Sequence, residues 1–212
     1  SGRESITAKL TANLLEKSGV DRVLAMDLHS AQIQGYFDIP CDHIYGSPVL
    51  IDYLESLNLE EIVVVSPDVG GVARARAFAK LMKDAPLAII DKRRSAHNIA
   101  ESLTVIGEVK GKTAILIDDM IDTGGTICSG ANLLKKEGAK RIFACASHAV
   151  FSPPSYERLS TKDLFEQVIV TNSIPVLVKD NFPQLKVLSV ANMLGEAIWR
   201  IHEESSVSSM FR

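Results

Sequence analysis

The residues best suited to chemistry follow an apolar stretch near the middle of the chain. Residues 114–117 carry no polar side chain, which is typical of a strand buried on both faces of a parallel sheet. Asp118 and Asp119 come next, at the end where such sheets bind ligands. Asp122 and the turn 123–126 then lead into a helix, whose free N–H groups and dipole favour an anion. The pattern predicts a site for a ligand carrying both phosphate and hydroxyl groups.

Each half of this pattern has a simpler structural explanation. An acidic pair after a strand is often a solvated turn, and glycines before a helix often serve only a positive φ and the helix cap. The two halves together, with a third carboxylate at Asp122, form a much rarer combination. We therefore favour the functional interpretation.

A second segment, Ser66-Pro67-Asp68-Val69-Gly70-Gly71, repeats the order of strand, carboxylate, two glycines and helix. A plain turn between strand and helix would explain Asp68 alone. Its occurrence at a second strand end of the same predicted sheet indicates a second anion site facing the same crevice.

Asp27 and His29 are a third candidate, at alternate positions where a predicted strand over 23–28 ends. Alternation along a strand would turn both side chains to one side. A lone histidine is more often a structural residue, and Asp27 could simply orient it. However, Mg²⁺ on phosphates keeps waters and uses few protein ligands, so His29 with one carboxylate such as Asp68 would suffice.

Lys92 opens the basic segment Lys92-Arg93-Arg94. The net charge of −3 gives no overall field for nucleic acid, so a phosphate ligand needs a local basic cluster such as this one. A solvated run of charges is the usual explanation. Because the run follows the strand that precedes the first motif, where phosphoryl transfer needs cations, we predict a mobile catalytic loop.

The composition indicates a globular α/β protein. The 212 residues are 46% hydrophobic and 23% charged, which excludes disorder. Cys41, Cys128 and Cys145 show no paired spacing, so we expect a reducing, cytoplasmic location. No apolar run approaches the roughly 18 residues of a membrane span. We expect neither a membrane nor a nucleic acid as partner.

Strand-like and helix-like segments alternate along the chain, which predicts right-handed crossovers and a mainly parallel, doubly wound sheet. We predict strands at 23–28, 61–66, 87–91, 113–117, 141–147, 166–170 and 185–189. We predict helices between Ser5 and Gly19 and at 48–57, 70–83, 126–137, 154–159 and 190–203. The segment from Lys92 is predicted to be irregular.

Four linked segments resemble the ribose-phosphate pyrophosphokinases, or phosphoribosyl pyrophosphate synthetases, in order and approximate spacing. The resemblance implies a type I phosphoribosyltransferase-like fold over one domain, 1–212. It also implies Mg²⁺-dependent transfer of the diphosphoryl group of ATP to the 1-hydroxyl of ribose 5-phosphate, giving 5-phosphoribosyl 1-diphosphate and AMP. The segments are Asp27-Leu28-His29 with Gln32-Ile33-Gln34-Gly35, Ser66 to Gly71, Asp91-Lys92-Arg93-Arg94, and Asp118-Asp119 through Thr126.

The resemblance also implies a role for each matched position. Lys92 and Arg94 would be catalytic, stabilising charge on the transferring group. The ribose 5-phosphate contacts would be Arg94, Asp118, Asp119, Asp122, Thr123, Gly124, Gly125 and Thr126. The diphosphate loop would be Asp68, Val69, Gly70 and Gly71, and the magnesium residues His29, Asp68 and Asp27, with Asp38 and Asp42 in an associated acidic set.

The resemblance further implies regulation and assembly. Arg3, Ser206 and Ser208 match a regulatory phosphate site, although a frayed polar terminus would be the simpler explanation of the tail. Family members form hexamers, which implies a homo-oligomer. They also have a homologous N-terminal domain, which we expect to be absent from this chain. We therefore expect the chain to bind ribose 5-phosphate with weak or no turnover.

Two alternatives stay open. A nucleobase phosphoribosyltransferase would share residues 118–126, because it binds the same sugar phosphate, but it would not need the basic loop or the segment 27–29. A non-catalytic, synthetase-associated regulatory homologue would act through subunit contacts. Lys92, Arg94, His29 and Asp68 argue against the second alternative.

Overall fold

The computed structural model describes residues 6–93, 102–176 and 182–211. Contacts divide the chain into a first unit, Ser1–Gly46 with Ala191–Arg212, and a second unit, Ser47–Val190. The single domain expected over 1–212 stays a prediction.

The elements follow one another along the chain in the predicted alternation, with some additions. They are α1 (Thr7–Lys17), β1 (Val23–Met26), β2 (Cys41–Ile44), α2 (Ser47–Ser56), β3 (Ile62–Ser66), α3 (Val72–Leu81), β4 (Leu87–Arg93), β5 (Ser102–Ile106), β6 (Thr113–Ile121), α4 (Gly125–Lys136), β7 (Arg141–Ala149), α5 (Ser155–Leu159), β8 (Gln167–Thr171), β9 (Leu185–Leu188) and α6 (Ala191–His202). Short 3-10 helices span Ala31–Tyr36 and Ser208–Phe211.

The second unit is built on a mainly parallel sheet. In the described residues its strand order is β5-β4-β3-β6-β7-β8-β9, and every neighbouring pair is parallel except β4 with β5. The central strands are apolar runs buried on both faces, as expected for strands of a parallel sheet that is covered by helices. Gly130 lets α4 approach the sheet, because a Cβ there would lie 2.8 Å from Ile90 Cδ1.

The strand register brings the candidate segments of the second unit to one edge of this sheet. Ser66 of β3 lies beside Ile89 of β4, and Val65 of β3 lies beside Leu116 of β6. The loops after β3 and β6 and the end of β4 therefore leave the sheet together. We call this the carboxyl edge.

Two strands of the second unit are longer or more regular than predicted. β6 continues to Ile121, so Asp118 and Asp119 lie within the strand instead of following it, because β7 extends beside them. Lys92 is not in an irregular segment, since β4 runs to Arg93 and pairs with β5, Lys92 lying opposite Leu103. The part of the basic segment that includes Arg94 lies outside the described residues.

The first unit has its own small sheet. β1 pairs in parallel with β2, and the apolar core beside it contains Ile44, Ala197 and Val207. The strand predicted to reach residue 28 ends at Met26, because Asp27 adopts a left-handed φ of 42°. The expectation that Asp27 and His29 share one side of a strand is therefore wrong.

The described residues contain no helix long and apolar enough to cross a membrane. Cys41, Cys128 and Cys145 are free thiols.

Candidate active site

The acidic pair of β6 is held by an arginine from the neighbouring helix. Arg74 Nη1, on α3, lies 3.0 Å from Asp118 Oδ1 and 3.2 Å from Asp119 Oδ1. The backbone N–H of Asp119 also donates to Asp118 Oδ1 at 2.9 Å. Asp119 is buried, with 2% of its surface exposed, whereas Asp118 lines a cavity. Asp118 is therefore the member of the pair that a ligand can reach.

The electrostatic environment of Asp118 favours its protonated form more than water would. Burial, followed by the neighbouring Asp119, raises the pKa of the Asp118 carboxyl above its usual range. Arg74 acts in the opposite direction, since its positive charge favours the ionised carboxylate. Sequence reasoning missed Arg74. The available signal was a basic residue in the first turn of the helix that follows Gly70 and Gly71.

The glycine turn after β6 takes the geometry expected of an anion-binding loop. Gly124 precedes the first residue of α4 with a φ of 72°, a left-handed conformation that glycine adopts without strain. Among the described residues, no side chain caps this N-terminus, and its first turn has no acidic residue. The N–H groups of the first turn are therefore available to an external acceptor. A cavity of about 240 Å³ lies here, lined by Asp118, Met120, Ile121, Asp122, Thr123, Gly124, Gly125, Thr126 and Ile127.

A second cavity brings three of the predicted segments together. Its volume is about 480 Å³, and it is lined by Asp68 after β3, by Lys92 of β4, and by Thr123, Gly125 and Thr126. Lys92 is exposed. A carboxylate, a lysine and the glycine turn before α4 thus share one crevice at the carboxyl edge.

The loop after β3 satisfies part of its own backbone. Asp68 Oδ1 accepts a hydrogen bond from the Gly71 N–H at 2.8 Å, and Ser66 Oγ donates to the Asp68 carbonyl at 2.7 Å. A Cβ at Gly71 would lie 3.0 Å from Ser66 Oγ, so the turn is tight. The role of residues 68–71 as a diphosphate loop stays a prediction.

The predicted magnesium residues of the first unit have other partners. Asp27 Oδ2 accepts from the Gly46 N–H at 2.7 Å. Asp42 lies 2.7 Å from Arg22, and Asp38 lies 3.5 Å from Lys9. Within the described ranges, no group of three or more His, Cys, Asp or Glu side chains could hold a metal ion. His29 is exposed in the first unit and Asp68 belongs to the second, so a site shared by them stays a prediction.

His43, which sequence reasoning did not single out, fixes the segment after β1. Its Nε2 accepts from the Leu28 N–H at 3.0 Å, and its Nδ1 lies 3.3 Å from Gln34 Nε2. Burial lowers the pKa of the His43 imidazole. A neutral imidazole is consistent with accepting the Leu28 hydrogen bond.

The tail of the first unit folds into a turn instead of fraying. Ser206 Oγ and Ser208 Oγ lie 3.0 Å apart, and Arg200 Nη1 donates to the Ser206 carbonyl at 3.1 Å. Arg3 lies outside the described residues, and the regulatory phosphate site stays a prediction.

The architecture and the crevice together define a class of protein. A mainly parallel, doubly wound α/β sheet with an acidic pair and a glycine loop at its carboxyl edge is the type I phosphoribosyltransferase-like fold, as predicted. The phosphoribosyl synthetase-associated domain model matches residues 94–212, more than half of the chain. The chain belongs to this family.

Several relatives are closely similar over the whole chain. It is 96% identical over 212 residues to the ribose-phosphate pyrophosphokinase of Prochlorococcus marinus subsp. pastoris, covering 64% of that protein. It is 65% identical to ribose-phosphate pyrophosphokinase 1 of Spinacia oleracea, covering 63% of that protein. The crystal structure of phosphoribosylpyrophosphate synthetase from Mycobacterium smegmatis superposes with a TM-score of 0.87 and 45% identity, over 96% of this chain and 66% of that one. The chain thus spans just under two thirds of the length of these relatives.

Proposed function

We propose that the chain binds ribose 5-phosphate as part of a ribose-phosphate pyrophosphokinase, which transfers the diphosphoryl group of ATP to the 1-hydroxyl of the sugar. The observation that carries this proposal is the crevice shared by Asp68, Lys92 and the loop 123–126. An anion loop alone would suit many phosphorylated ligands. An anion loop with a lysine and a further carboxylate suits phosphoryl transfer, which depends on positioning and on cations.

Each part of the crevice has a role in this proposal. The 5-phosphate would accept hydrogen bonds from the first turn of α4 and from Thr123 and Thr126. Asp118, backed by Asp119, would accept hydrogen bonds from the ribose hydroxyls. Lys92 would stabilise charge on the transferring group, with Arg94 as its partner.

Mg²⁺ fits the chemistry of this donor set. Asp68 is exposed at the crevice, and a phosphate-bound Mg²⁺ needs only one or two protein carboxylates because it keeps several waters. His29 stays a predicted magnesium residue of the first unit. When bound, the ion would neutralise charge on the phosphate oxygens.

The partners of the chain follow from the names and lengths of its relatives. ATP and ribose 5-phosphate are the proposed substrates, and the length that this chain does not span is proposed to supply the rest of the ATP site and subunit contacts. We infer a homo-oligomer for the whole protein. The free thiols support a reducing compartment, for which we propose the cytoplasm.

The experiment has two steps. Calorimetric titration of this chain with ribose 5-phosphate should give saturable binding, and ribose should bind much more weakly because it lacks the phosphate. Next, AMP release from ATP, ribose 5-phosphate and Mg²⁺ is measured in the Prochlorococcus relative, with Lys92→Ala introduced at the matching position. We expect the rate to fall by a factor of about 100 or more, because a cation facing the transition state is lost.

Lys140→Ala is the matched control, because Lys140 is an exposed lysine just before β7, at the opposite end of that strand from the crevice. An unchanged rate with Lys92→Ala would contradict the role of Lys92. Diphosphate release from 5-phosphoribosyl 1-diphosphate that depends on a nucleobase would favour a phosphoribosyltransferase. Absence of AMP release from the unsubstituted relative would favour the non-catalytic homologue.

A further inference from the structure

Helix α5 lies directly behind the anion-binding loop and touches it at two points. A Cβ at Gly124 would lie 3.4 Å from Cγ of the fully buried Leu159. The next contact is polar, because Arg158 Nη1 donates to the Thr123 carbonyl at 3.0 Å. The same nitrogen would lie 3.4 Å from a Cβ at Gly125. One side of the loop therefore rests on this short helix.

Arg158 lines neither of the two cavities and is exposed to solvent. Its charge nevertheless reaches the first turn of α4. Burial raises the pKa of the Cys128 thiol to about 11, and the positive charge of Arg158 opposes this increase. Cys128 N–H donates to the Gly124 carbonyl at 3.0 Å, so the affected residue belongs to the turn that carries the loop N–H groups.

The hydrogen bond to the Thr123 carbonyl has a direct consequence for an anion. A carbonyl oxygen carries partial negative charge and would repel a phosphate if the peptide turned it toward the cavity. A charged donor that engages this oxygen disfavours that rotation, and charge-assisted hydrogen bonds are about twice as strong as neutral ones. The positive charge also lowers the cost of placing a dianion at the loop.

We propose that Arg158 is a positioning residue for the phosphate of the ligand. It holds the Thr123 carbonyl away from the cavity and places a positive charge behind residues 123–126. The identity of the ligand as a sugar phosphate rests on the proposed function, whereas the restraint on the loop does not.

The test compares Arg158→Ala, Arg158→Lys and Arg141→Ala in the full chain. Arg141 is the matched control, since it is an arginine of the same unit and forms an ion pair with Glu166. It is the first residue of β7, at the end of that strand that is farther from the crevice. Titration with ribose 5-phosphate should give about tenfold weaker binding for Arg158→Ala, a partial recovery for Arg158→Lys, and no change for Arg141→Ala. The loss should shrink as salt concentration rises, because screening weakens the contribution of the charge.

A second measurement separates this proposal from the proposed function. Hydrogen exchange of the amides of residues 123–128, without ligand, should be faster in Arg158→Ala than in the unsubstituted chain or in Arg141→Ala. If the unsubstituted chain binds no ribose 5-phosphate, the proposed function fails and the exchange rates alone decide the role of Arg158. Unchanged exchange overturns the restraint on the loop. Equal affinity of Arg158→Ala and the unsubstituted chain overturns the effect on the phosphate.

Discussion

Two loops at the carboxyl edge share one sequence pattern but use their carboxylates differently. In the loop after β3, Asp68 accepts the Gly71 N–H, so the carboxylate serves the turn that precedes its own helix. In the loop after β6, Asp122 is exposed, and among the described residues the N-terminus of α4 has no side-chain cap. Among the described residues, neither α3 nor α4 has a side-chain cap. The two loops differ because Asp68 accepts the N–H of the residue before α3, whereas Asp122 makes no such bond before α4 in the part of the chain that the structure describes. In this sense we call the loop after β3 closed and the loop after β6 open.

We propose different tasks for the two loops. The closed loop presents Asp68 to the crevice and begins α3, whose first turn carries Arg74 to the acidic pair of β6. The open loop is the one that we propose as the phosphate site. The strand–carboxylate–glycine–helix pattern therefore predicts where a site lies, but it does not by itself predict which loop binds the anion.

The largest effect should come from replacing the glycine that keeps the second loop open. Gly124→Ala forces a residue with a Cβ into a φ of 72°, which costs about 1–2 kcal/mol, and places that Cβ 3.4 Å from Leu159. We expect the loop to shift and the affinity for ribose 5-phosphate, measured by calorimetry, to fall more than tenfold.

Gly70→Ala tests the same substitution in the closed loop. Gly70 does not have a positive φ. A Cβ added there would lie 3.3 Å from Asp68 Oδ1 and would contact no other residue that the structure describes. A smaller loss of affinity is expected. If both substitutions weaken binding equally, the distinction between an open and a closed loop is wrong.

A pH-dependent effect should come from Arg74, through which the closed loop acts on the acidic pair. Because the pKa of Asp118 is raised in the folded protein, the protonated form is favoured there, and stability should fall as pH rises from about 4 toward about 7. Ligand binding should have the opposite trend, since in the proposed function the ionised Asp118 carboxylate would accept hydrogen bonds from the sugar hydroxyls. Arg74→Gln removes a charge that lowers this pKa, so the rise in affinity with pH should move to higher pH.

Affinity for ribose 5-phosphate measured between pH 6 and 9 checks this expectation. Near pH 7 the Arg74→Gln variant should bind several-fold more weakly and should recover toward higher pH. Arg76→Gln, an exposed arginine two residues further along α3, is the control for net charge. A pH profile that coincides with that of the unsubstituted chain would show that Arg74 does not set the ionisation of the pair.

The sequence predicts those parts of the site that depend on local pattern. Apolar runs followed by glycines correctly predicted that Asp68 and the loop 123–126 come after buried strands, because burial and turn geometry are local properties. Arg74 and Arg158 escaped prediction because their partners lie 44 and 35 residues away in the chain. Such contacts depend on which helix packs beside which strand. The periodicity of apolar residues along the sequence does not predict that packing.

The predicted ends and pairing of some strands were also wrong, because contacts between distant parts of the chain determine them. β6 continues through its acidic pair because β7 supplies backbone partners as far as Ala149. Lys92 is in a strand because Leu103 lies opposite it on β5, which belongs to a stretch that sequence reasoning did not recognise as a strand. β1 pairs with β2 in a separate sheet, and no local signal in 23–28 indicates which strand it joins.

The smallest effect should be a difference in folding stability between variants of Asp68 and variants of Asp122. Asp68→Ala leaves the Gly71 N–H without its acceptor, and the loss of such a turn or cap hydrogen bond costs about 1 kcal/mol. Asp122→Ala removes an exposed side chain that does not cap α4, so its cost should stay within about 0.5 kcal/mol.

Urea unfolding of both variants and of Asp68→Asn measures this difference, provided that the slope of the free energy of unfolding against urea is unchanged. Asp68→Asn keeps an oxygen acceptor for the Gly71 N–H, so it should restore most of the stability that Asp68→Ala loses. Equal costs for Asp68→Ala and Asp122→Ala would mean that the first loop is not closed by its own carboxylate. Asp68 would then belong to the crevice alone, and the two loops would be equivalent anion sites.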